Sequence, residues 1–167
     1  FETITGFTPA TLRGKTILDM GCGPGRFSDV ALQMGATVVA IDYSSAIDAA
    51  KSNFAGKEAD ILFVQGDVLQ MPLKDESIDY SFTIGVLHHT PDPSRGVNEA
   101  HRVTRKEGGF AIRVYGAGGF YTYPAVLFWR SIFLRLKPYL GHYPPLFYSY
   151  FFGTLGFVLG KIWRPLS

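Results

Sequence analysis

Residues 17–27 read Ile-Leu-Asp-Met-Gly-Cys-Gly-Pro-Gly-Arg-Phe, an apolar run that contains an acid and is followed by three glycines at alternate positions. Because glycine has no Cβ, Gly21, Gly23 and Gly25 can adopt backbone angles closed to other residues and let a ligand lie against the main chain. The spacing differs from the dinucleotide fingerprint G-x-G-x-x-G, since Arg26 stands where its third glycine would be. Pro24 also removes one N–H that a phosphate could use. The loop therefore predicts a ligand that is not bound through a phosphate.

Short apolar runs rich in Val, Ile and Phe alternate with polar segments of helical spacing, which is typical of βαβ units and a parallel sheet. The expected strands lack a regular polar alternation, so we expect each of them to be buried on both faces. In an open parallel sheet, ligands bind beyond the carboxyl ends of the strands. The runs lie at residues 16–20, 37–42, 61–65, 78–84 and 110–115, and Asp19, Asp42, Asp67 and Gly85 fall at carboxyl ends.

Three local signals predict where helices begin and end. Ser44 or Ser45 can cap the helix that follows the second strand by accepting from free N–H groups in its first turn. Gly35 is expected to close the preceding helix, because a helix commonly ends at a glycine in the left-handed conformation. Gly108 and Gly109 are expected to close the last helix before the fifth strand in the same way.

Five segments resemble, in order, the motifs of class I S-adenosylmethionine-dependent methyltransferases, in particular the type 11 and ubiquinone/menaquinone methyltransferase group: 17–27, 38–42, 63–68, 77–89 and 102–109. The resemblance covers about residues 12–115. It implies an α/β fold with a Rossmann-like, doubly wound, mainly parallel sheet in the order 3-2-1-4-5, helices on both faces, and S-adenosylmethionine as cofactor. Such proteins usually finish with a sixth and a seventh strand, and no convincing pair follows Val114. We therefore expect either a fragment of a longer protein or a closing hairpin replaced by helices.

The resemblance also predicts which residues bind the cofactor: Asp19, Gly21, Cys22, Gly23, Gly25, Asp42, Tyr43, Asp67, Val68, Ile84 and Gly85. Asp42 lies about twenty residues beyond the glycine loop, where a carboxylate can accept from both ribose hydroxyls. Asp67 is expected to accept from the adenine amino group while Val68 packs near the ring. The alternatives are ordinary ones, namely a strand-end helix cap for Asp42 and a solvated turn acid for Asp67.

Two further contacts are expected at the methionine end of the cofactor. The resemblance implies that Asp19 orients the glycine loop and faces the cationic group, directly or through water. The carbonyl groups around Ile84 and Gly85 are expected to accept hydrogen bonds from the amino group.

His88 and His89 follow the fourth strand and are the candidate catalytic residues. Methyl transfer is an in-line displacement that depends mainly on positioning, so a base is needed only for a hydroxyl or protonated amine acceptor. Adjacent residues of an extended segment point in opposite directions, so we expect only one of the two to reach the acceptor. In the alternative, both shape the pocket mouth or fasten the turn before Pro91. Cys22 is read as a small loop residue rather than a nucleophile, and the histidine spacing predicts no metal site.

The last third of the chain differs in composition from the rest. After Glu107 there is no acid, while six Lys and Arg residues and 17 of the 25 aromatic residues remain. We expect two domains, a cofactor-binding core at 1–116 and a helical, aromatic and basic extension at 117–167. The run 146–160 is uncharged but shorter than the roughly 20 residues that span a bilayer. The extension is expected to cap the acceptor pocket, with peripheral membrane or partner contact through residues 120–163; alternatively it covers core or an oligomer interface.

Together these features predict a methyltransferase that acts on a small-molecule or lipid-like acceptor. The alternatives are a non-catalytic S-adenosylmethionine-binding scaffold and a nicotinamide-dependent oxidoreductase, since a fold does not fix a function. A net charge of +2 gives no reason to expect nucleic acid as a partner. A cytoplasmic location is expected, with peripheral attachment to the inner face of a membrane as the variant.

Overall fold

The structure, a computed structural model, describes residues 1–56 and 60–115, together with Phe128, Ser131, Ile132, Arg135 and Tyr139. The chain divides into two units, Phe1–Tyr115 and Gly116–Ser167. The five described residues of the second unit have helical backbone, and the Ser131 hydroxyl donates to the Phe128 carbonyl at 2.8 Å. The remaining expectations for the extension, including the run 146–160, lie outside the described residues.

The first unit contains a five-stranded sheet. Its strands are Thr16–Met20 (β1), Thr37–Asp42 (β2), Ile61–Gln65 (β3), Ile78–Ile84 (β4) and Thr104–Arg113 (β5). They pair in the order β3-β2-β1-β4-β5, and every pair is parallel. The predicted class, direction and strand order are confirmed. The chain reverses its direction of winding between β1 and β4, so the carboxyl ends of these strands border a crevice.

Two short helices, Glu2–Thr5 (α1) and Pro9–Leu12 (α2), precede the sheet, and three longer ones connect its strands: Arg26–Gln33 (α3), Ala46–Asn53 (α4) and Pro93–Val103 (α5). Gly35, with φ of 84°, follows the end of α3 as predicted. At the start of α4, Ser44 rather than Ser45 accepts from the Ala46 N–H, at 3.2 Å. Among the described residues no helix is both long and apolar enough to cross a membrane.

The core lies on both sides of the sheet because alternate residues of a strand face opposite ways. Ile17 packs in a cluster with Ala31 of α3 and Ile47 of α4, whereas Leu18 packs in a second cluster with Ala100 of α5. The prediction that all five strands are buried on both faces is wrong for two of them. Most residues of β3 and β5 are exposed or half-buried, since these are the outer strands of the described sheet.

The fifth strand begins earlier than predicted. The chain passes from α5 at Val103 directly into β5 at Thr104, so Gly108 and Gly109 lie inside the strand and do not close a helix. A Cβ on Gly108 would collide with the carbonyl oxygen of Asp79 in β4. The β4–β5 register also shifts between Ile78 and Tyr80. Glycine is therefore required there by the close approach of two backbones.

Candidate cofactor and active site

The glycine loop joins β1 to α3 at the carboxyl edge of the sheet. Gly21, Gly23 and Gly25 have φ of 81°, 52° and 90°, all in the left-handed region, which glycine enters at little cost. The N–H of Gly25 donates to the Cys22 carbonyl at 2.9 Å, and the first α3 bond runs from Asp29 to the Gly25 carbonyl at 3.0 Å. The loop is thus a tight turn that leads directly into a helix.

Every backbone N–H in the loop donates to a group of the protein. Gly21 and Cys22 donate to the Ile41 carbonyl at 2.8 and 3.0 Å, and Gly23 donates to Asp42 Oδ2 at 2.8 Å. Gly25 is bonded as described above, and Pro24 has no N–H. A pyrophosphate bound at a helix N-terminus depends on unpaired N–H groups. Residues 21–25 therefore leave no N–H for a phosphate, and such a ligand would depend on the N–H groups in the first turn of α3.

The three glycines differ in the space around them. A Cβ on Gly21 would lie 2.5 Å from the Val86 side chain, and one on Gly25 would lie 2.5 Å from Phe54 Cε2. A Cβ on Gly23 would meet nothing within 4 Å. The outer glycines hence allow the loop to pack on the protein, while the middle one presents bare backbone to the crevice, as a cradle for a ligand requires.

Asp42 is the last residue of β2 and lies beside this open backbone. Its Oδ2 accepts from Gly23, and its Oδ1 accepts from the N–H and the hydroxyl of Ser44 at 2.9 and 2.7 Å. Each carboxylate oxygen has two acceptor sites, so Oδ2 can accept one more hydrogen bond. Oδ1 already accepts two, and a ligand hydroxyl could bond to it by replacing the Ser44 hydroxyl. The geometry thus allows Asp42 to bind a ribose diol while it still orders the loop.

Asp19, near the end of β1, is almost fully buried, with 3% of its surface exposed. The hydroxyl of Ser28 in α3 donates to Asp19 Oδ2 at 2.6 Å, so this bond ties the two ends of the glycine loop together. Burial raises the pKa of Asp19 to about 7; the Asp42 carboxylate adds to the rise, and hydrogen bonds from Ser28 oppose it. A cationic ligand group beside Asp19 would favour its ionised form. Sequence reasoning missed Ser28, for which the only signal was its place one turn into α3.

Asp67 and Val68 begin the connection from β3 to β4. Asp67 is exposed, and its Oδ1 accepts from the Leu69 N–H at 2.8 Å. Val68 is buried in the second core cluster, so its backbone is better placed than its side chain to meet a ligand. Tyr43, directly after Asp42, is 77% exposed. The roles predicted for these residues stay predictions.

The chain turns sharply after β4. Gly85 has φ of 77° and donates to the Arg113 carbonyl at 2.8 Å, which carries Ile84 and Gly85 to the same edge as the glycine loop. Leu87–His89 then forms a short 3-10 helix. The prediction that His88 and His89 lie on an extended segment and point in opposite directions is wrong. Because the turn brings both rings to one side, their centroids are 4.0 Å apart.

His88 is the more enclosed of the two histidines. Both of its ring nitrogens are buried and have no hydrogen-bond partner among the described residues, and its ring lies 4.5 Å from that of Tyr115. Burial, with a smaller effect of His89, lowers the pKa of His88 from its ordinary value of 6.5, so the imidazole is neutral at pH 7. Tyr115, which follows β5, was not predicted from the sequence because a single tyrosine after a strand carries no functional signal.

Cys22 is not suited to nucleophilic catalysis. Burial raises the pKa of the Cys22 thiol to about 12, and Asp19 and Asp42 add to the rise. The thiol is protonated at neutral pH and is a poor nucleophile. Within the described part of the chain, no group of three or more His, Cys, Asp or Glu side chains could hold a metal ion.

The site suits an uncharged sugar and a cationic group better than a phosphorylated ligand. Asp19, Asp42 and Asp67 supply acceptors along the carboxyl edge, and the bare backbone at Gly23 supplies a cradle. These residues fit S-adenosylmethionine, whose ribose and adenine donate hydrogen bonds and whose methionine end carries a sulfonium and an ammonium. Asp42 and Asp67 would hold the nucleoside, and Asp19 would face the cationic end.

Comparisons with known proteins agree with this fit. A family model described as a methyltransferase domain matches residues 18–112. An uncharacterized methyltransferase of Mycobacteroides abscessus is 34% identical, covering 62% of this chain and 40% of the relative. The ubiquinone biosynthesis O-methyltransferase of Coxiella burnetii is 31% identical, covering 59% and 42%. The chain thus spans about two fifths of the length of these curated relatives.

Structural similarity leads to the same family. An S-adenosylmethionine dependent methyltransferase from Mesorhizobium loti superposes with a TM-score of 0.56 and 28% identity, covering 61% of this chain and 47% of that one. Together with the family match, this similarity supports S-adenosylmethionine as the cofactor. The glycine loop, the strand order and the matched residues lead to one conclusion: the chain belongs to the methyltransferase domain family.

Proposed function

We propose that this chain binds S-adenosylmethionine in the crevice beyond β1, β2 and β4 and transfers its methyl group to a small-molecule or lipid-like acceptor. The observation that carries the proposal is the glycine loop, in which every N–H donates within the protein while Gly23 exposes bare backbone beside Asp42. Residues 21–25 can hold a nucleoside beside the Asp42 carboxylate, and they leave no N–H of their own for a phosphate. This difference favours S-adenosylmethionine over a nicotinamide dinucleotide.

The protein's part in the reaction is mainly positioning. When bound, S-adenosylmethionine supplies an electrophilic methyl group on a sulfonium. Asp42 and the glycine loop fix the nucleoside, and the buried Asp19 favours the cationic end because its charge lies in a region of low dielectric constant. Holding donor and acceptor in line supplies a large part of the rate enhancement.

His88 is the proposed base for an acceptor that must lose a proton. It is neutral at pH 7, and its two buried nitrogens have no partner among the described residues, so one of them is free to accept from a hydroxyl group. His89, exposed and in ring contact with His88, is the alternative base. The Coxiella burnetii relative, named as an O-methyltransferase of ubiquinone biosynthesis, makes an aromatic hydroxyl the first acceptor class to test.

We infer a cytoplasmic location, and we propose that residues 117–167 provide any peripheral contact with a membrane. The basis is the composition of that segment, five cations without an acid and many aromatic residues, which suits an anionic interface. Flotation with anionic vesicles tests this contact, and a protein that stays at the bottom of the gradient would remove the membrane version.

Calorimetric titration tests the proposed function. The chain should bind S-adenosylmethionine and S-adenosylhomocysteine, and Asp42→Ala should weaken both by about tenfold to a hundredfold because charge-assisted hydrogen bonds are lost. Asp48→Ala is the matched control, since Asp48 is an exposed acid on α4 whose nearest cation, Lys51, is 4.0 Å away. Binding of NADH with no binding of the sulfur compounds would instead support the oxidoreductase alternative.

Turnover separates an enzyme from a scaffold. With labelled S-adenosylmethionine and a panel of catechols and hydroxylated quinone precursors, wild type should label at least one acceptor, and Asp42→Ala should label it far more slowly. Tight cofactor binding without label transfer to any acceptor, of hydroxyl, amine or carbon type, would favour the non-catalytic alternative.

A further inference from the structure

The connection from β3 to β4, residues 66–77, has no regular helix or strand and carries Asp67 at its start. One side chain from outside the connection is bonded to it at several points. Arg102 of α5 donates from Nη1 to the Leu73 carbonyl at 2.8 Å and to Asp75 Oδ1 at 2.7 Å, and from Nη2 to the Met71 carbonyl at 3.1 Å. A single guanidinium therefore holds three residues of the connection.

Glu99, one turn earlier in α5, completes the arrangement. It accepts from Arg102 Nε at 2.6 Å and from Nη2 at 2.7 Å, so all five N–H groups of the guanidinium are bonded. Glu99 Oε2 also accepts from the Met71 N–H at 2.8 Å. Both backbone polar groups of Met71 are thus fixed by the Arg102–Glu99 pair. Hydrogen bonds from Arg102 hold the pKa of Glu99 below its usual range, so the pair is ionised at neutral pH.

A continuous path leads from Met71 back to Asp67. The Asp67 carboxylate accepts from Leu69 at 2.8 Å, and the Asp67 carbonyl accepts from Gln70 at 3.0 Å, so residues 67–70 form a tight turn. That turn ends where Arg102 and Glu99 hold Met71. The direction in which Asp67 faces the crevice is therefore set at one end by β3 and at the other by this pair.

Apolar packing alone would not fix that direction. Val68, Leu69 and Met71 are buried against α5 residues in the second core cluster, but hydrophobic contacts are non-directional. Hydrogen bonds to the N–H and the carbonyl of Met71 orient two successive peptide planes. An arginine suits this task because its five donors lie in a rigid plane, whereas the three donors of a lysine rotate about one nitrogen.

We propose that Arg102, together with Glu99, is a positioning residue for the adenine end of the cofactor and acts through the turn at residues 67–70. The proposal rests on the proposed function, because it assumes that Asp67 meets the adenine amino group. It adds that recognition of this group depends on a side chain that does not touch the cofactor and lies 35 positions further along the chain.

The test compares S-adenosylhomocysteine with S-inosylhomocysteine, in which an oxo group replaces the adenine amino group and N1 carries a hydrogen. Wild type should prefer the adenosyl compound by about tenfold or more, the effect of one hydrogen bond to a charged group. Arg102→Lys and Glu99→Gln should lose most of this preference, and so should Asp67→Asn. Arg105→Lys is the matched control, since Arg105 pairs with Asp79 of β4 and bonds to the connection only near its far end, at the Glu76 carbonyl at 3.3 Å, among the contacts of the described residues.

A purely structural role would give a different result, because Arg102→Lys would then weaken both ligands by the same factor and leave their ratio unchanged. That result, with wild type showing the preference, would overturn the proposal. Hydrogen exchange without ligand is the second readout. Arg102→Lys should speed exchange at the Leu69 and Met71 amides relative to Arg105→Lys, and unchanged exchange would overturn the proposal even if no variant bound a ligand. Failure of wild type to bind either compound would instead count against the proposed function.

Discussion

Replacing Asp19 by asparagine should stabilise the protein and weaken cofactor binding at the same time. Asp19 is 3% exposed, and its carboxylate accepts a hydrogen bond from the Ser28 hydroxyl at 2.6 Å. Asparagine has nearly the same shape, and its carbonyl oxygen can keep that bond. The substitution therefore removes the buried charge and puts an NH2 group in place of one carboxylate oxygen.

The magnitude follows from the pKa of Asp19, which burial raises from 3.8 to about 7. Each pKa unit corresponds to about 1.4 kcal/mol, so the shift of about three units amounts to roughly 4 kcal/mol as an upper bound. Because the folded pKa is raised, the folded state holds the proton more tightly than the unfolded state. The stability linked to this group is fully present below pH 3.8 and is lost as the pH rises through 7.

The assay is urea unfolding of wild type and Asp19→Asn between about pH 5 and pH 8. The variant should be the more stable protein, and its advantage should grow across that range by roughly 2–3 kcal/mol. Asp48→Asn is the control, because the Asp48 side chain is 74% exposed and its removal should give no such trend. Equal stability of wild type and Asp19→Asn at both pH values would refute the claim that burying this charge is costly.

Calorimetry on the same variant completes the prediction. Asp19→Asn should bind S-adenosylhomocysteine at least several-fold more weakly, because the ammonium group of the ligand loses a buried anion as its neighbour. A site that keeps a destabilising group for binding is the usual form of the trade-off between stability and function. Unchanged affinity would place the cationic end of the ligand away from Asp19.

Four other substitutions have distinct expected outcomes. Gly25→Ala should cost about 1–3 kcal/mol in chemical denaturation, because alanine is strained at φ of 90° and its Cβ would lie 2.5 Å from Phe54; an unchanged denaturation midpoint would contradict this. Gly108→Ala should cost a similar amount in thermal unfolding, since its Cβ would collide with the carbonyl of the neighbouring strand. Gly109→Ala should be tolerated, because the atom nearest to its Cβ would be in the Tyr80 ring, at 3.6 Å. With a hydroxyl acceptor, the wild-type rate should fall as the pH drops through the lowered pKa of His88, and His88→Gln should lose about a hundredfold in rate together with that pH dependence; full turnover in the variant would exclude His88 as the base.

Much of the fold could be predicted from local patterns. The first four strands begin and end where the apolar runs do. Three of them, β1, β2 and β4, are inner strands of the sheet, and inner parallel strands are apolar because both of their faces are covered. The glycine loop was predictable as well, since three alternate glycines between a strand and a helix have few uses besides close backbone approach. At Gly35 the helix stop signal and the structure agree.

The errors occur where a distant part of the chain decides the local structure. Gly108 has the sequence appearance of a helix stop, but the carbonyl of Asp79, 29 residues earlier, requires a glycine inside a strand. The rings of His88 and His89 lie on one side because Gly85 turns the chain and a 3-10 helix follows. The alternation of side chains along an extended strand does not predict such a turn.

The Arg102 contacts could not be predicted for the same reason. Apart from Glu99, three positions away, the groups that Arg102 binds are 27 to 31 residues away in sequence, and no local pattern indicates them. The spacing of Glu99 and Arg102 predicts only a surface ion pair on a helix, which usually contributes little. The bonds from Glu99 and Arg102 to the connection that carries Asp67 form only in the folded protein, where this connection lies against α5.

The most direct test of the account is a crystal structure of this protein with S-adenosylhomocysteine. The account predicts that the ligand lies over the bare backbone of Gly23, that Asp42 accepts from the ribose hydroxyls while it still holds the glycine loop, and that Asp67 accepts from the adenine amino group. A ligand bound elsewhere, or one bound at the loop whose ribose and adenine do not contact Asp42 and Asp67, would contradict it.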